Sequence, residues 1–234
     1  MTVLVTGAAS GIGAAVMAQL GDRAIGLDRA GAELVCDLSD PEAIADVAKH
    51  IATPLRGIAH VAGLPGTAES GTIIAVNLRA PKLLTDALLP QLVDGASIVA
   101  VSSVTALRCD WSAPRLDALI DGECPPPMEG ARAYELSKAA LNRWAVRTAA
   151  MLRGRRIRVN TVSPGPVQTP ILADFESSIG KERLDAAAAM VGRHADPVDI
   201  AEVIAFLLGD AARWINGTDV KADGGYHAVR AVTA

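Results

Sequence analysis

The chain has 234 residues, half of them apolar, with a formal charge of −4 at neutral pH and an isoelectric point near 5.6. That is enough material for one substantial core, and it supplies no basic footprint for nucleic acid or for an anionic membrane surface. A mean hydropathy of +0.29 reflects core rather than lipid contact, because no apolar run approaches the roughly 18 residues of a spanning helix.

In chain order, TVLV (2–5) is a short β-branched run, and it leads straight into TGAASGIG. Gly7, Gly11 and Gly13 there allow a tight turn that opens a helix, so backbone N–H groups can approach a pyrophosphate at the helix's positive end. The second run, AIGL (24–27), ends on Asp28, 15 residues after Gly13. A carboxylate at that place can accept hydrogen bonds from the adenosine ribose hydroxyls and repels the extra phosphate of NADP. NAD is therefore the expected cofactor, with NADP second because Arg29 offers a phosphate partner.

ELVC (33–36) is a third run, followed by DPEAIADVAKHI, where Asp40 caps a helix and Pro41 takes its first position. GIAHV (57–61), SIVAV (97–101), IRVNTV (157–162) and TDVKA (218–222) complete seven candidate strands. A second capped helix, DPVDIAEVIAFLL, has Asp196 as cap, Pro197 as first residue and a buried stripe of Ile200, Val203, Ile204 and Leu207. Several strands are apolar on both faces, as in a parallel sheet covered by helices on both sides. The expectation is a single α/β domain over 1–234, doubly wound, with about seven parallel strands.

Residues 104–132 interrupt this alternation with prolines (CPPP, 124–127), charges and one helical fragment around LDALI, and read as an inserted loop. Cys36, Cys109 and Cys124 are an odd set without CxxC spacing, and no two histidines stand at i, i+4, so free thiols and no metal are expected. The chain opens on TVLVTG without a charged and apolar leader, which points to the cytoplasm.

In ARAYELSK (131–138), Tyr134 and Lys138 lie one helical turn apart, so an ammonium can reach the neighbourhood of a phenol. A tyrosine titrates near pH 10, and service as a base near neutrality requires a pKa lower by roughly 2 to 3 units. Lys138 and a positively charged nicotinamide would both act in that direction.

With TGAASGIG, HVAG, VN, SS, YELSK, VNTVSPGPVQTP and DGG in that order over essentially its whole length, the chain resembles the classical short-chain dehydrogenase/reductase family. The resemblance implies a Rossmann-type fold, a nicotinamide cofactor and the interconversion of alcohols and carbonyls, small molecules being the partners. It implies a catalytic set of Asn77, Ser103, Tyr134 and Lys138. Cofactor contacts would come from Gly7, Ser10, Gly11, Ile12, Gly13 and Asp28, then Asp37 and Leu38 at the adenine and Ala62 and Gly63 along the cleft. Tyr134, Lys138, Pro164 and Gly165 would join them, with Val167 and Thr169 at the nicotinamide carboxamide.

Two features depart from the family pattern. His60 stands where asparagine is usual, and Ser103 and Tyr134 lie 31 positions apart because of the insert. The insert, the segment 63–77 and GRHADP are most similar to the 3α-hydroxysteroid dehydrogenase/carbonyl reductase branch, which implies a cyclic or steroid-like secondary alcohol. Dehydrogenases of terpene alcohols or dihydrodiols, and an NAD-binding redox sensor or scaffold without catalysis, are the alternatives.

Both ends of the insert are anchored beside Ser103 and Tyr134, so it can cover a substrate or pack on the surface or on another subunit. As a cover, its Trp111 and Met128 would join Ile171 and Leu172 in an apolar wall. The resemblance implies a homo-oligomer. A dimer is favoured over a tetramer, because the insert adjoins the helix of Tyr134.

Overall fold

The computed structural model describes residues 2–233, apart from the side chain of Ile179. The seven apolar runs form β1 (Thr2–Thr6), β2 (Ala24–Asp28), β3 (Leu34–Val35), β4 (Leu55–His60), β5 (Leu92–Val101), β6 (Arg158–Pro164) and β7 (Asp219–Ala222). All pair in parallel, in the order β3-β2-β1-β4-β5-β6-β7. The order reverses direction between β1 and β4, which makes the carboxyl ends of those two strands the natural mouth of a ligand crevice.

Because side chains alternate along a strand, each strand feeds two cores. Leu4, Ile58, Ile98 and Ala100 enter one, while Val3, Val5, Ala59, Val99 and Val101 enter the other. Helices α1 (Gly11–Leu20) and α9 (Pro197–Leu208) cover the second core through Val16, Leu20, Ile200, Ile204 and Leu207. On the first lie α2 (Pro41–His50), α4 (Ala80–Leu88), α5 (Ala113–Ile120) and α6 (Gly130–Leu152). Full burial of one Leu or Ile contributes about 1.5–3 kcal/mol, so these two layers supply the main driving force.

The helix starts follow local chemistry. Asp40 accepts a hydrogen bond from the Glu42 N–H at 2.9 Å, and Asp196 and Asp199 form a reciprocal capping box around Pro197. Helix α3 (Ser70–Ile74) is capped by Glu69, which accepts from the Gly71 and Thr72 N–H groups. It passes through a π-helical turn, Ala75–Arg79, into α4. Three further helices, α7 (Leu172–Ile179), α8 (Lys181–Val191) and α10 (Tyr226–Thr233), stand beyond the carboxyl ends of β6 and β7.

Candidate active site

The turn after β1 is built for close approach. Gly7 has a φ of +70°, and a Cβ on it would sit 2.8 Å from the Ala62 nitrogen, while one on Gly13 would fall 1.9 Å from the Gly7 carbonyl oxygen. The β1 and β4 ends are tied by Thr6, whose hydroxyl accepts from the Val61 and Ala62 N–H groups at 3.0 and 3.1 Å. Helix α1 has no acidic residue in its first turn and the Ser10 side chain makes no capping bond, so its positive end is left for an anion.

At the end of β2, Asp28 accepts from the Ala9 N–H at 2.9 Å and from the Arg29 N–H at 2.6 Å, which fixes its carboxylate against the glycine turn. Asp37 is held below the usual carboxylate range, first by the Ser39 N–H at 2.8 Å and then by the Ser39 hydroxyl at 2.7 Å.

Ser103 leaves the end of β5 and caps a 3-10 turn (Val104–Arg108), its Oγ accepting from the Thr105 N–H and hydroxyl at 3.2 and 3.0 Å. Tyr134 and Lys138 lie on α6, both buried. The Lys138 Nζ donates to the Val101 carbonyl at 2.8 Å and lies 5.6 Å from the centroid of the Tyr134 ring. Phe175 of α7 meets Tyr134 edge to face, with ring centroids 5.2 Å apart.

Asn77 sits in the π-helical turn and stands one layer behind these groups. Its Oδ1 accepts from the Leu64 N–H at 2.7 Å, and its Nδ2 donates to the Leu64 carbonyl at 3.0 Å and to the Ser137 hydroxyl at 3.2 Å. A Cβ on Gly63 would lie 3.3 Å from Asn77 Oδ1 and 3.4 Å from Lys138 Nζ, so these three positions meet at one point. Their convergence depends on the π turn, which re-aims a helical side chain.

Burial of the phenol works against the lowering that service as a base requires. Burial pushes the Tyr134 phenol up to about 12, with the Ser103 hydroxyl acting weakly the other way. The same burial brings Lys138 down to about 8. A phenol raised in this way is protonated at neutral pH, a proton donor rather than a base.

Ser103, Tyr134 and Lys138 line one cleft of about 1060 Å³ with every position assigned to the cofactor, and with Ile171 and Leu172. Asn77 does not reach its surface, and neither do Trp111 and Met128. Those two line a separate hollow of about 190 Å³, where the Arg115 guanidinium stacks 4.0 Å from the Trp111 ring. Trp111 and Met128 thus stand apart from Ile171 and Leu172 in this structure. Phe175 and Arg108 take places on the cleft that sequence reasoning missed. Only the position of Phe175 shortly after the TP pair at 169–170 could have signalled it.

The sequence and the fold both have known relatives. A family profile described as enoyl-(acyl carrier protein) reductase matches residues 126–227. The chain is 35% identical to a coniferyl-alcohol dehydrogenase of Pseudomonas sp. (strain HR199 / DSM 7063), over 95% of each chain. It is 34% identical to a 3-alpha-hydroxysteroid dehydrogenase/carbonyl reductase of Comamonas testosteroni, over 97% of this chain and 96% of that one. The chain belongs to the short-chain dehydrogenase/reductase family. The 3-alpha-hydroxysteroid dehydrogenase from Pseudomonas sp. B-0831, solved in complex with NADH, superposes over the full length of both chains with a TM-score of 0.85 at 32% identity.

In this short-chain dehydrogenase/reductase the insert carries a helix docked on α6. Arg143 of α6 donates to both carboxylate oxygens of Asp117 on α5 at 2.8 and 2.7 Å, and Arg147 reaches Asp117 and Asp121. Leu119 and Ile120 are buried beneath. Of the insert, only Val104, Thr105 and Arg108 border the cleft. Residues 110–129 do not border the cleft, and this stretch packs on α6 instead. Asp117→Asn is expected to lower the melting temperature and leave substrate KM unchanged. A raised KM at an unchanged melting temperature would return α5 to the substrate side.

The residues fit the nicotinamide cofactor of the family. The glycine turn leaves room that any Cβ at Gly7 or Gly13 would fill, the α1 terminus offers uncompensated N–H groups, and Asp28 presents a carboxylate at the cleft.

Proposed function

We propose that the protein is an NAD-dependent dehydrogenase that interconverts a cyclic or steroid-like secondary alcohol and its ketone, with Tyr134 transferring the proton. The observation that carries this reading is the shared cleft: Ser103, Tyr134 and Lys138 border the same space as the glycine turn and Asp28. When bound, the nicotinamide supplies the hydride acceptor or donor. The chain's own part is orientation and proton handling. Ser103 Oγ, already polarised by Thr105, hydrogen-bonds the substrate oxygen, and Tyr134 Oη exchanges the proton with it. Lys138, anchored on Val101, would hold the nicotinamide ribose, and Asn77, which fixes the Leu64 backbone beside it, would support a water that relays the proton.

The raised phenol pKa gives the two directions different pH profiles. Reduction needs Tyr134 protonated, and burial ensures that across the neutral range. Oxidation needs the phenolate, so its kcat/KM is expected to climb about tenfold per pH unit from neutrality toward the phenol pKa, as lowered by a bound cation. Steady-state rates from pH 6 to 10 in both directions test this, and a pH-independent oxidation rate would remove Tyr134 as the base.

Preference for NAD rests on Asp28, which offers a carboxylate where NADP would bring a phosphate. Asp28→Ala is expected to narrow the NAD over NADP ratio of kcat/KM; an unchanged ratio would move discrimination elsewhere. A dimer fits better than a tetramer, since α5 occupies an outer face of α6. An aryl primary alcohol is a second reading, favoured by the coniferyl-alcohol dehydrogenase relative. Following NAD reduction across 3α-hydroxysteroids, cyclohexanols, terpene alcohols, dihydrodiols and coniferyl alcohol, with Tyr134→Phe as control, decides between them. Silence across that panel with NAD bound would favour a binding protein.

A further inference from the structure

The cleft carries more positive charge than hydride transfer requires. On its α7, α8 and α10 side it is bordered by Arg183 and Arg230. Arg183 shares one face of α8 with Ala187 and Met190, residues spaced by three or four that all line the cleft, so the guanidinium belongs to the wall. Tyr226 and Arg230 stand at i and i+4 on α10, and both line it too. The Tyr226 hydroxyl accepts from Arg230 Nη1 at 3.2 Å, which steadies the head group without neutralising it.

Among the described residues neither guanidinium has an ion-pair partner, although Lys181 and Arg193 on the same stretch are both paired. Three other charged groups face this part of the cleft. Arg108 is paired with Glu135 at 3.5 Å, and Lys138 is directed to the Val101 carbonyl. Asp174 accepts a hydrogen bond from the Thr67 hydroxyl at 3.4 Å, and as the one carboxylate on this wall among the described residues it leaves the two arginines in excess. A locally positive wall on a chain of net charge −4 is a focused field and not a property of the whole surface. Phe175, in contact with Tyr134, supplies an apolar surface on the same cleft.

We propose that Arg183 and Arg230 recognise a carboxylate on the substrate, so that the preferred alcohol or ketone is a ring compound bearing an acid group on the side remote from its carbinol. A guanidinium offers two parallel N–H donors that match a carboxylate, and Phe175, Ile171 and Leu172 take the apolar body between the two polar ends. This assignment rests on the dehydrogenase reading and adds a substrate class to it. Because both arginines are open to water, the effect is a selectivity factor and falls on KM more than on kcat.

The test compares each of three acids with its primary amide: 4-hydroxycyclohexanecarboxylate, 3-(4-hydroxycyclohexyl)propanoate and a 3α-hydroxysteroid with a carboxylated side chain. With saturating NAD, the wild-type enzyme is expected to favour at least one acid by fivefold or more in kcat/KM. Added salt should reduce that preference. In Arg183→Gln and Arg230→Gln the acid-to-amide ratio should fall toward one, with the lysine variants in between. Equal turnover of acid and amide by the wild-type enzyme would overturn the carboxylate assignment while leaving the dehydrogenase reading intact. A preference that survives both glutamine variants would also overturn it. So would variants that raise KM for NAD and keep the acid-to-amide ratio, since the arginines would then serve the cofactor phosphates. Absence of turnover on acids, amides and the neutral alcohol panel alike would sink the dehydrogenase reading itself.

Discussion

Replacing Tyr134 by Phe is expected to lower kcat by roughly 10²–10⁴-fold, the range that a positioned acid or base contributes, while NADH affinity stays within twofold. The ring contributes packing as well as a proton. Its edge contact with Phe175 and its burial against Ile73 and Ala133 are available to phenylalanine, so the variant should fold and melt like the parent. Cofactor affinity is read by fluorescence titration and chemistry by single-turnover rates. Near-normal turnover in a variant that still binds NADH would remove Tyr134 from the reaction. Loss of NADH binding would show instead that the phenol organises the cofactor cleft.

The second large effect concerns stability in acid. His60, at the end of β4, is buried with its Nε2 2.9 Å from the Thr85 hydroxyl and its ring 6.0 Å edge-on to Trp144. Burial lowers its pKa from the ordinary 6.5 to about 3. Between those values the unfolded chain binds a proton that the native state refuses. The contribution is whole above pH 6.5 and is lost as pH falls toward 3, by about 1.4 kcal/mol per unit and on the order of 4–5 kcal/mol in all. His60→Asn removes the titrating group. Urea unfolding at pH 7.5, 6, 5 and 4 should therefore show wild-type stability falling relative to the variant by about one such step per unit. A difference between the two that does not change with pH would mean that the native state accepts the proton on His60.

Legibility from sequence divides along physical lines. The seven strands could be read because strands buried on both faces are short apolar runs, and the starts of α2 and α9 because Asp and Pro are local helix signals. The glycine turn was equally legible, since the constraint on Gly7 and Gly13 lies in the backbone. The π turn at Asn77 was not, because one extra residue in a helical turn leaves the apolar pattern nearly unchanged. The docking of α5 joins Asp117 to Arg143 and Arg147, 26 and 30 residues away, and such pairs carry no local signal. The burial of Tyr134 was illegible for a related reason. Spacing placed Lys138 on the same helix face, but burial is set by the whole fold, and it raises the phenol pKa.

The strand order also governs what a growing chain exposes. Strands β1, β2, β3, β4 and β5 can pair as soon as residue 101 has emerged from the ribosome, but β5 must wait for Arg158–Val162 before its other edge is met. Until then Ile98–Val101 present an unpaired apolar edge, the kind of template on which chains aggregate. The interval is the time needed to make the insert and α6, so the residues that delay β6 are the same ones that bring Tyr134 and Lys138 to the cleft. Nascent chains stalled between residues 101 and 158 are the forms of this protein most in need of a chaperone.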